Sequence, residues 1–273
     1  MKKATLIITT YKKIRELELI YSALENQTCK DFEIIIADDG SGKEVEEYVK
    51  LIRDNSEFYI NFITQEKEGF RKTKILNKAI ISSNTDYLVF IDGDCIPNRD
   101  FMKYHIEYAE ENTVLCGWRV SLGKKISERI STDEINSGKY ENNKFRLLTD
   151  SLTGKKSTKS AEESIIIKNK FLRKHFSEKR VRLTGYNFSV WKSLLEKING
   201  FDENYVGAGI GEDTDIEYRL KLAGAKFKSI RNLAVVFHLF HEKTIEENKN
   251  LEYFRNIISK SKNYFCSNGL IKK

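Results

Sequence analysis

The chain reads as an α/β fold with a mainly parallel central sheet flanked by helices. Three observations predict it. Apolar, strand-like runs alternate with helix-patterned segments through the first half. Three of those runs end in polar clusters, Thr9-Thr10-Tyr11, Asp38-Asp39 and Asp92-Gly93-Asp94. The composition, 40% hydrophobic and 32% charged over 273 residues, suits a globular chain able to bury a sizeable core. Repeated strand–helix units require right-handed crossovers, which lay the strands parallel.

Residues 4–10 are rich in Leu and Ile and form the first predicted strand. A helix over 13–25 follows, with Leu17, Ile20, Tyr21 and Leu24 at helical spacing. A second strand covers 32–37 and is broken by Asp38-Asp39-Gly40-Ser41-Gly42. Helix 45–53, strand 58–64, helix 73–82 and strand 87–91 complete the alternation. Residues 119–182 break it. They are polar and basic, and read as an insertion, part helix and part mobile loop, over one edge of the site. Order resumes at Leu183, with helix 191–198, a glycine-rich loop 207–211, helix 212–223, strand 233–237 and an amphipathic tail helix over 244–265. The resulting division is 1–118, an α/β half; 119–182, the insertion; 183–241, the second half of the same domain; and 242–273, the tail.

Composition excludes several classes. The single proline, Pro97, argues against Pro-rich linkers. Cys29, Cys95, Cys116 and Cys266 show no Cys-x-x-Cys spacing, so neither a zinc site nor a disulfide framework is expected, and a reducing cytoplasm fits. The apolar run after Lys2-Lys3 is too short for a signal peptide, and no stretch approaches the ~20 apolar residues of a membrane span. The net charge of +7 is concentrated between Lys155 and Arg182. That stretch reads either as a patch for an anionic partner or as a solvated helix surface.

In Asp86-Tyr87-Leu88-Val89-Phe90-Ile91-Asp92-Gly93-Asp94, a buried-looking strand ends in two carboxylates. Residues i and i+2 of an extended segment point the same way, and like charges held that close call for a cation or a proton. Gly93 allows a ligand near the backbone. Two readings fit: a divalent cation with an anionic ligand at the strand's end, or a turn. Ligands of parallel α/β sheets bind beyond the carboxyl ends of the strands, where all three polar clusters fall.

Taken in order, Ile7-Ile8-Thr9-Thr10-Tyr11, Ile36-Ala37-Asp38-Asp39-Gly40-Ser41, Gly69-Phe70-Arg71-Lys72-Thr73-Lys74-Ile75-Leu76-Asn77, Asp92-Gly93-Asp94, Gly200-Phe201-Asp202-Glu203, Gly211-Glu212-Asp213-Thr214-Asp215 and His238-Leu239-Phe240-His241 resemble the motifs of family 2 glycosyltransferases of the GT-A fold. The resemblance covers about 3–241 apart from the insertion. The later motifs are similar to the galactosyltransferase-type half also found in bacterial chondroitin-type polymerases. The chain departs from those relatives in lacking the Trp often found just before Gly-Glu-Asp.

The resemblance implies a role for each motif residue. Thr9 and Tyr11 would line the base pocket and Asp39 would hold the uracil of a UDP-sugar. Arg71 and Lys74 would face the diphosphate or donor sugar. Asp92 would contact the ribose or reach the metal through water. Asp94 would bind the metal directly, with His238 completing the sphere and His241 as second candidate. An imidazole with carboxylate and diphosphate oxygens suits Mn²⁺, with Mg²⁺ as the harder alternative. Asp213 would be the general base and Glu212 would orient acceptor hydroxyls. Trp118, Tyr186, Asn187 and Trp191 would shape sugar subsites.

Ordinary structural readings stand beside these: a helix cap for Asp39, a core hydrogen bond for His238, and macrodipole stabilisation of α-helical acids for 212–215. The implied reaction is inverting transfer from a UDP-sugar to a glycan or lipid-linked hydroxyl in surface polysaccharide or lipopolysaccharide assembly. A nucleotidyltransferase is the first rival, but Thr10-Tyr11-Lys12-Lys13 lacks the glycines of a phosphate loop. A basic nucleic-acid- or glycan-binding module is the second, and it leaves Asp92, Asp213 and His238 unexplained. No nucleic-acid partner is expected. The basic surface and the tail, through Leu251, Phe254, Ile257, Ile258 and Phe265, suggest docking at the inner face of an anionic membrane.

Overall fold

The computed structural model describes residues 2–177, 181–207, 211–242 and 249–272. Most of the glycine-rich loop 207–211, the start of the tail helix, and Lys179 and Arg180 of the basic stretch lie outside the described residues.

The first half alternates as its periodicity predicts. β1 (Ala4–Thr10), α1 (Ile14–Glu25), β2 (Phe32–Asp38), α2 (Lys43–Asn55), β3 (Ile60–Thr64), α3 (Lys72–Ser82) and β4 (Tyr87–Asp92) follow in order. β2 and β4 each run one residue further than the apolar pattern and take in the aspartate that closes it. β5 (Cys95–Pro97), α4 (Phe101–Glu107), β6 (Thr113–Cys116) and β7 (Trp118–Ser121) come next. Later strands are β8 (Phe188–Trp191), β9 (Lys226–Ser229) and β10 (Val235–His238).

The main sheet has seven strands in the order β3-β2-β1-β4-β8-β6-β9. Its β3, β2, β1 and β4 run parallel, as do β6 and β9, while β8 is antiparallel to both neighbours. Both faces are buried. Leu6, Ile8, Ile34 and Ile36 pack with α1 and α2 on one side, whereas Ile7, Ile35, Leu88 and Phe90 pack with α3 on the other. That period of two explains why these strands read as continuous apolar runs. Phe90 of β4 stacks on Phe188 of β8 with ring centroids 4.5 Å apart.

A smaller sheet, β5-β10-β7, positions the site. The antiparallel register sets His238 opposite Cys95, and Leu239 N–H donates to Asp94 O at 2.9 Å. His238 is thereby held beside the end of β4, although some 140 residues separate them in the chain.

The described residues of 119–182, read from sequence as an insertion, are largely helical and partly packed into the core. They form β7 and the short helices α5 (Lys124–Arg129), α6 (Thr132–Asn136), α7 (Lys139–Asn142), α8 (Lys144–Ser151) and α9 (Lys170–Ser177), with a 3₁₀ turn at Ala161–Ser164. Ile126, Ile130, Ile135, Tyr140 and Leu147 join the core on the α1 side. Arg15 of α1 donates to the carbonyls of Ser127 and Ile130 at 2.8 and 3.0 Å. The helices are too short for a periodic signal, and their few apolar residues are diluted by Ser, Asn and Lys, so the stretch reads as polar. Among the described residues of the basic run, not every cation is free at the surface. Arg173 is buried with its guanidinium 5.1 Å from the Tyr108 ring, and Lys156 pairs with Glu242 at 2.5 Å.

The remaining helices are α10 (Lys192–Lys197), α11 (Glu212–Leu222) and α12 (Lys249–Tyr253), which continues into a π turn at Phe254–Ile258. The tail packs on the domain. Phe254 meets Tyr218 edge-on at 5.9 Å, Tyr253 meets Tyr205 at 5.1 Å, and Asn250 bonds Val206 N–H and Gly207 O. No helix among the described residues is long and apolar enough to cross a membrane.

Candidate active site

The candidate site lies beyond the carboxyl ends of β1, β2 and β4. Thr9 pairs with Asp92 across the β1–β4 register, and its hydroxyl donates to Asp92 Oδ1 at 3.2 Å. Gly93 lets the turn after β4 close on β1, because a Cβ there would fall 2.5 Å from Thr9 O. Asp94 is buried beneath three cationic or imidazole groups. The Lys13 ammonium bonds Oδ2, His238 Nε2 lies 3.5 Å from Oδ1, and His241 Nε2 lies 3.6 Å from Oδ2.

Burial works against ionisation of Asp94, but His238, Lys13 and His241 outweigh it and hold the carboxyl at about 2. Burial also pushes the His238 imidazole down to about 4, against the pull of Asp94. His238 thus carries charge only at low pH, where Asp94 titrates, while the Lys13 ammonium pairs with the Asp94 carboxylate directly. The carboxylate of Asp94, the thiol of Cys95 and the imidazole of His238 present ligand atoms all within 4.8 Å of one another. An ionised carboxylate, a neutral imidazole and a cation already drawn to the spot fit a divalent transition metal.

The second half of the site is the start of α11. Glu212 and Asp213 are its first residues, and Asp213 Oδ2 accepts from Gly185 N–H at 2.8 Å. Gly185 must lack a side chain, since a Cβ would collide with the Asp213 carboxylate. Burial raises the Asp213 carboxyl above the usual range, opposed by the Lys72 ammonium and the Gly185 N–H. Burial and the neighbouring Asp213 push Glu212 up to about 7. Glu212 Oε2 is buried without a hydrogen-bond partner among the described residues.

Lys72, the first residue of α3, links the two halves. Its ammonium bonds Asp92 Oδ1 at 2.6 Å. Burial acts to discharge it, but the charges of Asp92, Asp213 and Glu212 prevail and keep it protonated. The two sequence motifs around it explain its placement. Asn77 of α3 exchanges hydrogen bonds with Phe201 at 2.8 and 2.9 Å, and Thr73 donates to Tyr205 O at 3.3 Å. α3 is thus tied to the segment that leads into α11.

Known proteins resemble this chain in sequence and fold. Residues 5–176 match glycosyl transferase family 2, and residues 169–242 match the N-terminal domain of galactosyltransferase. The chain belongs to glycosyl transferase family 2. A chondroitin synthase of Escherichia coli is 27% identical over 256 residues, covering 86% of this chain and 34% of that protein. The chain thus spans about a third of that relative's length, at 34%. The mannosyltransferase PcManGT of Pyrobaculum calidifontis, solved with GDP-Man and Mn²⁺, has a TM-score of 0.56 at 14% identity, covering 88% of this chain and 58% of that one. S. aureus TarS 1-349, solved with UDP-GlcNAc, has a TM-score of 0.57 at 15% identity, covering 89% and 60%. The fold of this family 2 chain is GT-A, the mainly parallel α/β sheet with flanking helices that the motifs imply.

Within this family 2 fold, several motif residues do something more local than expected. The turn after β2 is held by Asp38, which accepts from Gly40 N–H, Ser41 N–H and Thr64 Oγ1. Asp39 is left to face Gln65, Lys67 and the Arg71 N–H at 2.6, 3.1 and 3.1 Å, and it caps no helix. Lys67 also sits 3.6 Å above the ring of Tyr11. Arg71 and Lys74 turn to Glu68, through its carbonyl at 3.3 Å and its carboxylate at 3.5 Å. Asn187 is fully buried and bonds the carbonyls of Trp118 and Ala234, so it knits the two sheets rather than facing a sugar. Trp191 stands at the Tyr87 end of β4, opposite the aspartates, and donates to Glu110 O. Trp118 and Tyr186 lie edge to face at 6.3 Å, under Arg231 and Arg119 respectively.

Sequence reasoning missed Lys13, Lys72, Cys95 and Gly185. Lys13 and Lys72 each sit beside a motif residue, but among 47 Lys and Arg only contact with Asp94 or Asp92 distinguishes them.

Proposed function

We propose that this chain transfers a sugar from a UDP-sugar to a hydroxyl of a glycan or lipid-linked acceptor during surface polysaccharide or lipopolysaccharide assembly. One observation carries the reading: His238 lies beside Asp94, and the Lys72 ammonium bonded to Asp92 also feels the charges of the buried Asp213 and Glu212. Similarity to an E. coli chondroitin synthase and the nucleotide sugars bound by the two neighbouring structures support it.

Thr9 and Tyr11 would line the base pocket and Asp39, whose Oδ atoms are held by Gln65 and Lys67, would hold the uracil. Asp94 and His238 would hold Mn²⁺, or Mg²⁺, with Asp92 reaching it through water or binding ribose. When bound, that ion supplies Lewis-acid neutralisation of the departing diphosphate. Asp213, aimed by Gly185 N–H, accepts the proton of the acceptor hydroxyl. Its raised carboxyl pKa brings its basicity closer to the working pH. The unpartnered Glu212 Oε2 is free to orient that hydroxyl. Attack from the face opposite UDP inverts the anomeric carbon.

The test is UDP release from a panel of UDP-sugars, with Mn²⁺ and with EDTA. Release that requires Mn²⁺, is abolished in Asp94→Asn, and is lost without loss of UDP binding in Asp213→Asn is expected. Mn²⁺-dependent turnover undiminished in Asp94→Asn removes the metal assignment. Wild-type kcat in Asp213→Asn removes the base.

A further inference from the structure

The α5–α8 face carries a feature that sugar transfer does not use. On α8 and its C-cap, Phe145, Leu148 and Leu152 follow i, i+3, i+7 spacing and lie on one side, 78%, 41% and 86% exposed. Leu147 on the opposite side is buried in the core. Beside the stripe runs a groove of about 250 Å³ between α5 and α8, lined by Lys125, Arg129, Arg146, Thr149 and Thr153. Arg146 is engaged by Glu134 at 3.0 Å, and the groove's acid, Asp150, is held by Thr158 N–H and hydroxyl at 2.8 and 2.7 Å. Lys125 and Arg129 form no ion pair among the described residues, and exposed Lys155 follows the stripe.

We infer that this face docks on an anionic phospholipid membrane, with Phe145, Leu148 and Leu152 entering the interface and Lys125 and Arg129 taking headgroup phosphates. Scattered exposed apolar residues are ordinary, but an aromatic-aliphatic stripe beside unpaired cations has the make-up of an interfacial surface. Charge complementarity selects the lipid: a neutral surface would leave Lys125 and Arg129 unpaired. The face also adjoins the candidate site. Leu122, just before α5, donates to His238 O at 2.9 Å, and Ser127 of α5 accepts from Phe240 N–H at 2.8 Å. A membrane docked here lies on the His238 side of the candidate site. The surface differs from the tail, whose Tyr253 and Phe254 are spent on packing.

The test is vesicle flotation of the whole chain, which reads no catalytic activity. At low salt the protein should float with vesicles containing phosphatidylglycerol and stay behind with pure phosphatidylcholine, and added salt should release it. Phe145→Ser with Leu152→Ser should weaken partitioning about tenfold or more. Lys125→Glu with Arg129→Glu should abolish it. All four positions are exposed, so unchanged thermal melting certifies the fold. Phe171→Ser on α9, at a site 81% exposed, should leave flotation intact. No flotation at low salt overturns the inference, as does flotation that survives the α8 pair but fails in Phe171→Ser. A dimer in solution that the α8 pair dissociates, without lipid binding, assigns the stripe to a second copy of the chain and likewise overturns it.

Discussion

At Lys72, one ammonium balances carboxylates from two distant motifs. Its charge lowers the Asp213 carboxyl pKa. Lys72→Met should therefore raise it, and the acid limb of the kcat–pH profile should move to higher pH. An unmoved limb would separate Lys72 from the base. Glu212 makes the complementary case. Its carboxyl moves from 4.5 in the open chain to about 7 in the fold, so the folded state holds the proton more tightly. The stability from that proton is complete below pH 4.5 and lost as pH rises to about 7. Glu212→Gln should flatten the fall in unfolding free energy across that window, as read by urea melts at several pH values. A fall of unchanged slope would assign it to Asp213 and Asp215, which burial shifts the same way.

For elements, α11 places the proposed catalytic acids at one end and a structural ion pair in its middle. Its acids at 212, 213 and 215 look alike in sequence, yet they divide by environment. Asp215 is buried with Arg219 at 2.5 Å, and Arg219 also donates to Ile198 O and Gly200 O, fixing α11 to the end of α10. Arg219→Met leaves the Asp215 charge buried and unpaired, and should cost about 3–5 kcal/mol in urea unfolding. Gly185→Ala should displace the Asp213 carboxylate while the fold survives, lowering kcat more than donor binding. A wild-type kcat there would mean that Asp213 is not held by this turn. Element identities through β4 were readable because strands buried on both faces give apolar runs and α1–α3 keep one apolar stripe. α5–α8 were not, because four short helices supply one or two core residues each.

Across the molecule, the segment 119–182 is part of the framework. Ile135 is buried against the α1 side of the core, and Ser22 of α1 donates to Asn136 at 2.8 Å. Ile135→Ala should destabilise the whole chain by about 2–5 kcal/mol in a single cooperative transition. A loss below about 0.5 kcal/mol, the range of surface substitutions, would restore the view of an appended insertion.

The sequence alone determined the parallel α/β framework, the strand-end aspartates and the family, because burial periodicity and motif order are local properties of the chain. Only the tertiary structure decided which neighbours those groups have. β10 pairing with β5 brings His238 to Asp94, and α3 tied to Phe201 carries Lys72 toward Asp213. Such neighbours are set by strand register and helix docking, which bring together residues more than a hundred positions apart. No spacing in the sequence encodes them.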